Sequence, residues 1–279
     1  MINEILVCLD GSPLAEKVVP LARGIAYATG AILTGVKVVR DSDQIARAES
    51  YMRESARRFG AQIKFVVSGD PALAILEELE KDPTTLVAIT THGRTAWSEA
   101  VLGSVAFQVI RGAKRPVILY CPLVKDANAP KKVTTLVVAL DGSDFSERII
   151  PYAAGMAKAL AIRLLLIQAL PLRSPILAGP DQETVVLLES AYLHRKAAAI
   201  KQTHGIDADW EVLHGDPADA ICRYLKGMPD TLLAMTTHAR SALERAVLGS
   251  VAGYCVRHAG VPLLLYWPHS VISNNLGSG

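Results

Sequence analysis

The sequence predicts an α/β protein of two tandem, doubly wound, five-stranded parallel sheets, and three observations carry that reading. The chain repeats itself. Ile5-Leu-Val-Cys-Leu-Asp-Gly-Ser12 returns as Leu136-Val-Val-Ala-Leu-Asp-Gly-Ser143, Gly69-Asp-Pro71 returns as Gly215-Asp-Pro217, and His92–Ser104 returns as His238–Ser250. Three blocks kept in one order mean a duplication. Within each repeat, short apolar runs alternate with helical patterns, as parallel strands joined by crossover helices do. Finally, 279 residues at about 150 per domain leave room for two cores.

In the first repeat Ile5–Leu9, Ile32–Val39, Ile63–Val67, Leu86–Thr90 and Val117–Cys121 are short runs rich in Val and Ile. Such runs read as strands buried on both faces. Between them Leu14–Tyr27, Ser42–Phe59, Ala72–Lys81 and Ser98–Gly112 carry apolar residues at helical spacing. Ala74, Ile75, Leu76 and Leu79 show it, with Glu77, Glu78 and Glu80 facing water. The second repeat carries about fifteen extra residues near Pro171–Glu183, a stretch with Pro and Gly that reads as a loop. The expected organisation is residues 1–124 and 133–268 as domains, 125–132 as a polar linker and 269–279 as a frayed, Gly/Ser-rich tail.

Composition excludes several classes of partner. The chain is 51% hydrophobic and 20% charged, which rules out extended disorder. A net charge of +2 and 5% aromatic residues give neither an electrostatic nor a stacking case for nucleic acid or an anionic membrane. Leu160–Leu170, the most apolar run, is broken by Arg163 and closed by Pro171, far short of a span. Glu4 and Asp10 interrupt any signal peptide. Cys8, Cys121, Cys222 and Cys255 are scattered, without the spacing of a zinc site or a disulfide framework. A cytoplasmic location is expected.

Doubly wound sheets bind ligands beyond the carboxyl ends of their strands, where the strand order reverses. After the fourth strand the chain reads Thr90-Thr-His-Gly93, then nine residues, then Gly103-Ser104-Val105 opening a helix. Glycine admits close approach of a bulky anion, and free amides at a helix N-terminus favour phosphate. The same Gly-Ser pair also fits a tight turn with an N-cap. Asp10, ending the first strand before Gly11-Ser12-Pro13, suits the hydroxyl donors of a ribose, or simply forms a turn. Arg94 and Arg240 are within reach of phosphates or are solvated. His92 and His238 recur like a catalytic pair, yet no orienting carboxylate or nucleophile accompanies them.

Together these blocks resemble the universal stress protein family, across both repeats. The family motif is G-x-x-G, nine residues, G-[ST], preceded by a first-strand Asp. Asp10, Gly93, Gly103 and Ser104 match it, with Thr90 in place of the first Gly. In the second repeat Asp141, Gly249 and Ser250 match, while Thr236 and Ala239 replace both leading glycines. The resemblance implies a Rossmann-like fold of the adenine-nucleotide alpha hydrolase type that binds ATP. Asp10 and the backbone at Val38 would contact the adenosine, while Gly93, Gly103, Ser104 and Val105 would hold the phosphates, with Arg94 counted among the candidate binding residues for its reach. Asp141, Ala169, Gly249, Ser250 and Val251 would form a second site.

The expected function is therefore a nucleotide-binding regulatory protein of stress response. Mg or Mn would arrive on the phosphates, and no catalytic residues are assigned. The alternatives are a nucleotide-free interaction module and, more remotely, a slow ATPase. The resemblance also implies antiparallel pairing of the last strands, Pro116–Cys121 and Pro262–Trp267, with further self-association as a homodimer of tandem chains. If a left-handed backbone is needed at Gly93, Ala239 would be strained by about 1–2 kcal/mol, so the first site is expected to be the tighter.

Overall fold

The computed structural model describes residues 2–91, 102–122, 129–171, 182–237 and 248–268. The first half runs β1 (Glu4–Cys8), one turn of 3-10 helix (Ala15–Val18), α1 (Val19–Thr29), β2 (Ile32–Val39), α2 (Asp43–Phe59), β3 (Gln62–Val67), α3 (Pro71–Glu80), β4 (Thr85–Thr90), α4 (Ser104–Gly112) and β5 (Val117–Tyr120). The second runs β6 (Thr135–Leu140), α5 (Asp144–Glu147), α6 (Ile150–Leu160), β7 (Arg163–Leu170), α7 (Gln182–His204), β8 (Ala208–His214), α8 (Pro217–Leu225), β9 (Thr231–Thr236), α9 (Ser250–His258) and β10 (Leu263–Tyr266).

The repeated residues explain the repeated elements. Gly30 and Gly60 take left-handed conformations and end α1 and α2. Asp70 and Asp216 cap α3 and α8, each side chain accepting two amides of the first turn. Proline follows each cap, at a position that needs no amide. Where Gly30 ends α1, Ala161 ends α6 at φ 52, so the second half tolerates a strained alanine at one matched position.

The strands form one sheet in the order β3-β2-β1-β4-β5-β10-β9-β6-β7-β8. Each half is a doubly wound five-stranded parallel sheet. The halves join where β5 and β10 pair antiparallel, Leu119 opposite Leu263 and Ile118 opposite Leu264. Each face of the sheet carries an apolar core that crosses this seam. One gathers Ile5, Ile118, Leu136 and Leu264, and the other Leu6, Leu119, Leu233 and Leu263. Trp267 meets Phe107 of the other half edge-on at 6.1 Å. The described part of the expected linker packs against α1. Ala129 is buried, its amide bonds to Lys17 O, and a Cβ on Gly24 would collide with the Lys131 carbonyl.

Several local expectations need correction. The run expected as one helix over Leu14–Tyr27 is a 3-10 turn followed by an α-helix, and Pro20 falls in the first turn of the latter. The helix expected from Ser98 has its described part beginning at Ser104, with Ser98–Val101 outside the described residues. β3 is not buried on both faces, because it is the outermost strand and no neighbour covers its far side. Cys121 lies beyond β5 and is half-buried. The extra residues of the second repeat fall between β7 and β8, and α7, at 23 residues against 17 for α2, takes up part of them.

Glu78, expected to face water, is buried. Its carboxylate pairs with Lys64 on β3 and with Lys81 at 2.6 Å. Burial opposes its charge, but the hydrogen bonds and charges of the two lysines outweigh that and hold the carboxyl below its usual range. Its stabilising contribution is therefore complete above the unfolded-state value, about 4.3, and is lost as pH falls through the lower folded value. Glu78→Gln should lower stability in urea titrations at pH 7 by about 1 kcal/mol, allowing for solvent screening of the lysines. Wild type and variant should converge in acid, whereas equal stability already at pH 7 would show that the pair contributes nothing.

Candidate functional site

Order reverses between β1 and β4, whose Val7 and Ala88 are paired. Asp10 follows three residues after Val7 and Thr91 three residues after Ala88, both past the last paired residues of the two strands. Gly103 is tied to this point, its amide bonding to Thr91 O at 2.7 Å. The start of α4 is thereby held at the carboxyl end of β4, the strand paired with β1. Gly103 is the N-cap residue, and neither it nor Gly249 makes a side-chain cap bond. Ser104 and Ser250 are exposed first residues of their helices. Both capping glycines have negative φ, −55 and −51, which any residue adopts. Room for an approaching group, rather than handedness, is what glycine adds there.

Next to Asp10 lies a cleft of about 570 Å³, lined by Asp10, Gly11, Lys37 and Val38 from the strand ends and by Arg47 and Tyr51 from α2. That volume is within the usual range for a small-molecule site. The Asp10 carboxylate accepts the Ser12 amide at 2.8 Å, and Asp141 accepts the Ser143 amide at 3.0 Å and its hydroxyl at 2.5 Å. Both aspartates thus close a turn with the serine two residues on, the alternative to ribose binding that the sequence offered for Asp10. Lys37 is 8% exposed, and its ammonium donates to the Asp10 carbonyl at 2.6 Å, 6.0 Å from the Tyr51 ring centre. Burial, with the Glu16 carboxylate nearby, pushes the Tyr51 phenol up, so it stays neutral. Glu16 accepts Ser55 Oγ at 3.0 Å and pairs with Arg58, which holds α2 over the cleft. The matching Glu147 accepts Tyr192 Oη at 3.0 Å and Lys196 Nζ at 2.6 Å from α7.

The two halves differ beneath this turn. Strand register matches Lys37 with Gln168, since Cys8 pairs with Val36 as Ala139 pairs with Ile167. Gln168 is 4% exposed, and its buried Oε1 has no hydrogen-bond partner among the described residues. Its Nε2 lies 3.5 Å from where a Cβ on Gly142 would stand. A cation that satisfies the turn in the first half is thus replaced by an amide with an unanswered acceptor. Such an acceptor costs about 1–3 kcal/mol when nothing donates to it.

Of the expected site residues, Asp10 and Val38 line the cleft, while Gly103, Ser104 and Val105 open α4 after β4. Asp141, Ala169, Gly249, Ser250 and Val251 occupy the matching places in the second half. Gly93, Arg94, Arg240, Ala239 and both motif histidines lie outside the described residues. Lys37, Arg47, Tyr51 and Gln168 were not foreseen. The available signal was a polar residue inside an apolar strand run, Lys37 within Ile32–Val39 and Gln168 within Arg163–Leu170. Among the described residues, no group of three or more His, Cys, Asp or Glu could hold a metal ion, and no helix is long and apolar enough to cross a membrane.

Gln168→Met should raise ligand-free stability by about 1–2 kcal/mol, because it removes the unanswered acceptor and keeps the volume. Lys37→Met should lower it, by taking a donor from the Asp10 carbonyl. Urea titration of both variants checks this, and a loss of stability in Gln168→Met would contradict it.

Comparison with known proteins agrees with this architecture. The chain is 27% identical over 136 residues to a universal stress protein of Methanocaldococcus jannaschii, covering 47% of this chain and 79% of the relative. It is 33% identical over 133 residues to one of Thermus aquaticus, covering 47% of this chain and 96% of the relative. The crystal structure of a universal stress protein from Archaeoglobus fulgidus shares the fold, with a TM-score of 0.71 at 21% identity, over 96% of this chain and 99% of that one. A model of the universal stress protein family matches residues 40–120 and 132–266, in both halves. The chain belongs to the universal stress protein family, as a tandem member.

Proposed function

We propose that this chain binds adenine nucleotide, ATP foremost, at the carboxyl ends of its strands, and acts by binding rather than turnover. The observation that carries this is a strand-end aspartate lining a cleft of ligand size, with a Gly-Ser helix start tied to the end of β4, the strand paired with β1. Asp10 accepts ribose hydroxyls, the Val38 backbone meets the base, and Gly103, Ser104 and Val105 offer amides and a hydroxyl to the phosphates. Gly93 and Arg94 complete the phosphate loop. Asp141, Ala169, Gly249, Ser250 and Val251 do the same in the second half. Mg or Mn arrives with the phosphates, which commonly carry such ions into sites with few protein ligands. Lys37 and Arg47 line the first cleft, and the second half has Gln168 at the place of Lys37, which favours an anionic ligand in the first half. The proposed setting is a regulatory role in stress response in the cytoplasm, with self-association of tandem chains.

A second reading, a nucleotide-free interaction module, draws on the turn that Asp10 and Asp141 already make without a ligand. One preparation separates the two. Purified protein is denatured, and the supernatant is resolved by ion exchange. Nucleotide near stoichiometry is expected, as is a rise in melting temperature with added ATP, since ligand at about 100 times its dissociation constant adds roughly 2.7 kcal/mol. Asp10→Ala should weaken binding about tenfold, the equivalent of about 1.4 kcal/mol. No released nucleotide and no shift at millimolar ATP would favour the interaction module.

A further inference from the structure

α8 and α9 pack side by side on one face of the second half. Cys222 and Cys255 meet in that seam with sulfurs 3.9 Å apart. They are 3% and 0% exposed. The repeat places Leu76 and Val109 at the matching positions of α3 and α4, so the first half closes its seam with hydrocarbon and the second with two thiols. Cys8, by contrast, stands in β1 with its thiol pushed up to about 12 by burial, and Cys121 lies half-buried beyond β5.

We propose that Cys222 and Cys255 are a redox-active pair that a hydroperoxide, or a small-molecule disulfide, oxidises to an intramolecular disulfide. With a peroxide, the Cys222 thiolate attacks one oxygen and breaks the O–O bond. Cys222 becomes a sulfenic acid, and the other oxygen leaves and takes up a proton. The Cys255 thiolate then attacks the Cys222 sulfur, forming the S–S bond and expelling hydroxide, which leaves as water. Two thiols are oxidised by two electrons, and one peroxide is reduced to an alcohol or water plus water. With a small disulfide, two exchanges release two small thiols instead.

Accessibility supports this order, since Cys222 is the less buried of the two and is met first by an oxidant, with Cys255 behind it at the contact. The sulfurs must close from 3.9 Å to about 2.0 Å, a shift shared by two helices. Burial makes the reaction wait on local opening, so it runs over minutes to hours rather than seconds. The bond would tie α8 to the helix whose first residue is Ser250, and would leave α3 and α4 untouched. This inference does not rest on nucleotide binding.

The test uses the full chain under native conditions, treated separately with hydrogen peroxide and with oxidised glutathione, then alkylated in denaturant. Mass spectrometry should count four alkylated cysteines before treatment and two after. The tryptic peptides Gln202–Arg223 and Ala246–Arg257 should be joined, and dithiothreitol should separate them. The oxidised chain should melt several degrees higher. Cys222→Ser and Cys255→Ser should each abolish both the link and the shift, while the double variant Cys8→Ser/Cys121→Ser keeps them. Four alkylated cysteines after treatment, linkage through Cys8 or Cys121, or a lowered melting temperature would overturn the proposal.

Discussion

Antiparallel pairing of β5 with β10 is the contact on which the rest of this molecule depends. Each strand is only four residues long, and seven of the eight residues are buried. Alone, either half would present that strand as an apolar edge, which is a template for aggregation. Together they remove both edges and make one ten-stranded sheet with a core on each face that crosses from half to half. The edges that remain, β3 and β8, are of a different kind. Lys64 on β3 and Asp209 and Glu211 on β8 place charge there, and Asp209 pairs with Arg163 at 2.7 Å.

The same pairing decides where the two candidate sites lie. Within each half the strands run parallel, and across the seam they run in opposite directions. The carboxyl ends of the two halves therefore point to opposite margins of the sheet. Asp10 with Gly103 sits at one margin, and Asp141 with Gly249 at the other. No single small ligand bridges them. Duplication thus supplies two strand-end regions free to diverge, and the exchange of Lys37 for Gln168 shows that they have, in charge and in hydrogen-bonding need.

Much of this was legible in the sequence because it is periodic. Ordered repeat blocks, apolar strand runs and Gly-Asp-Pro helix starts state the architecture directly, and strand ends mark the site in any doubly wound sheet. What escaped depends on tertiary neighbours. Glu78 lies where helical spacing predicts exposure, but Lys64 of the adjacent edge strand covers it. β3 reads like its companions because an outermost position leaves no mark in a short apolar run. Lys37 and Gln168 are single polar residues in strands, and their meaning appears only when register sets both beneath an aspartate turn. Cys222 and Cys255 are 33 residues apart along the chain and meet only because α8 and α9 share a seam.

Hydrogen exchange with and without ATP tests the account at its centre, because it reads where a nucleotide sits rather than whether one binds. Backbone amides should gain protection at residues 10–12, 38–39 and 103–106, and at 141–143, 169–170 and 249–252 if the second half also binds. The seam strands 117–120 and 263–266 should be slow to exchange in either state. Protection confined to the outer strands β3 and β8, or no change anywhere under saturating ATP, would contradict the placement of the site.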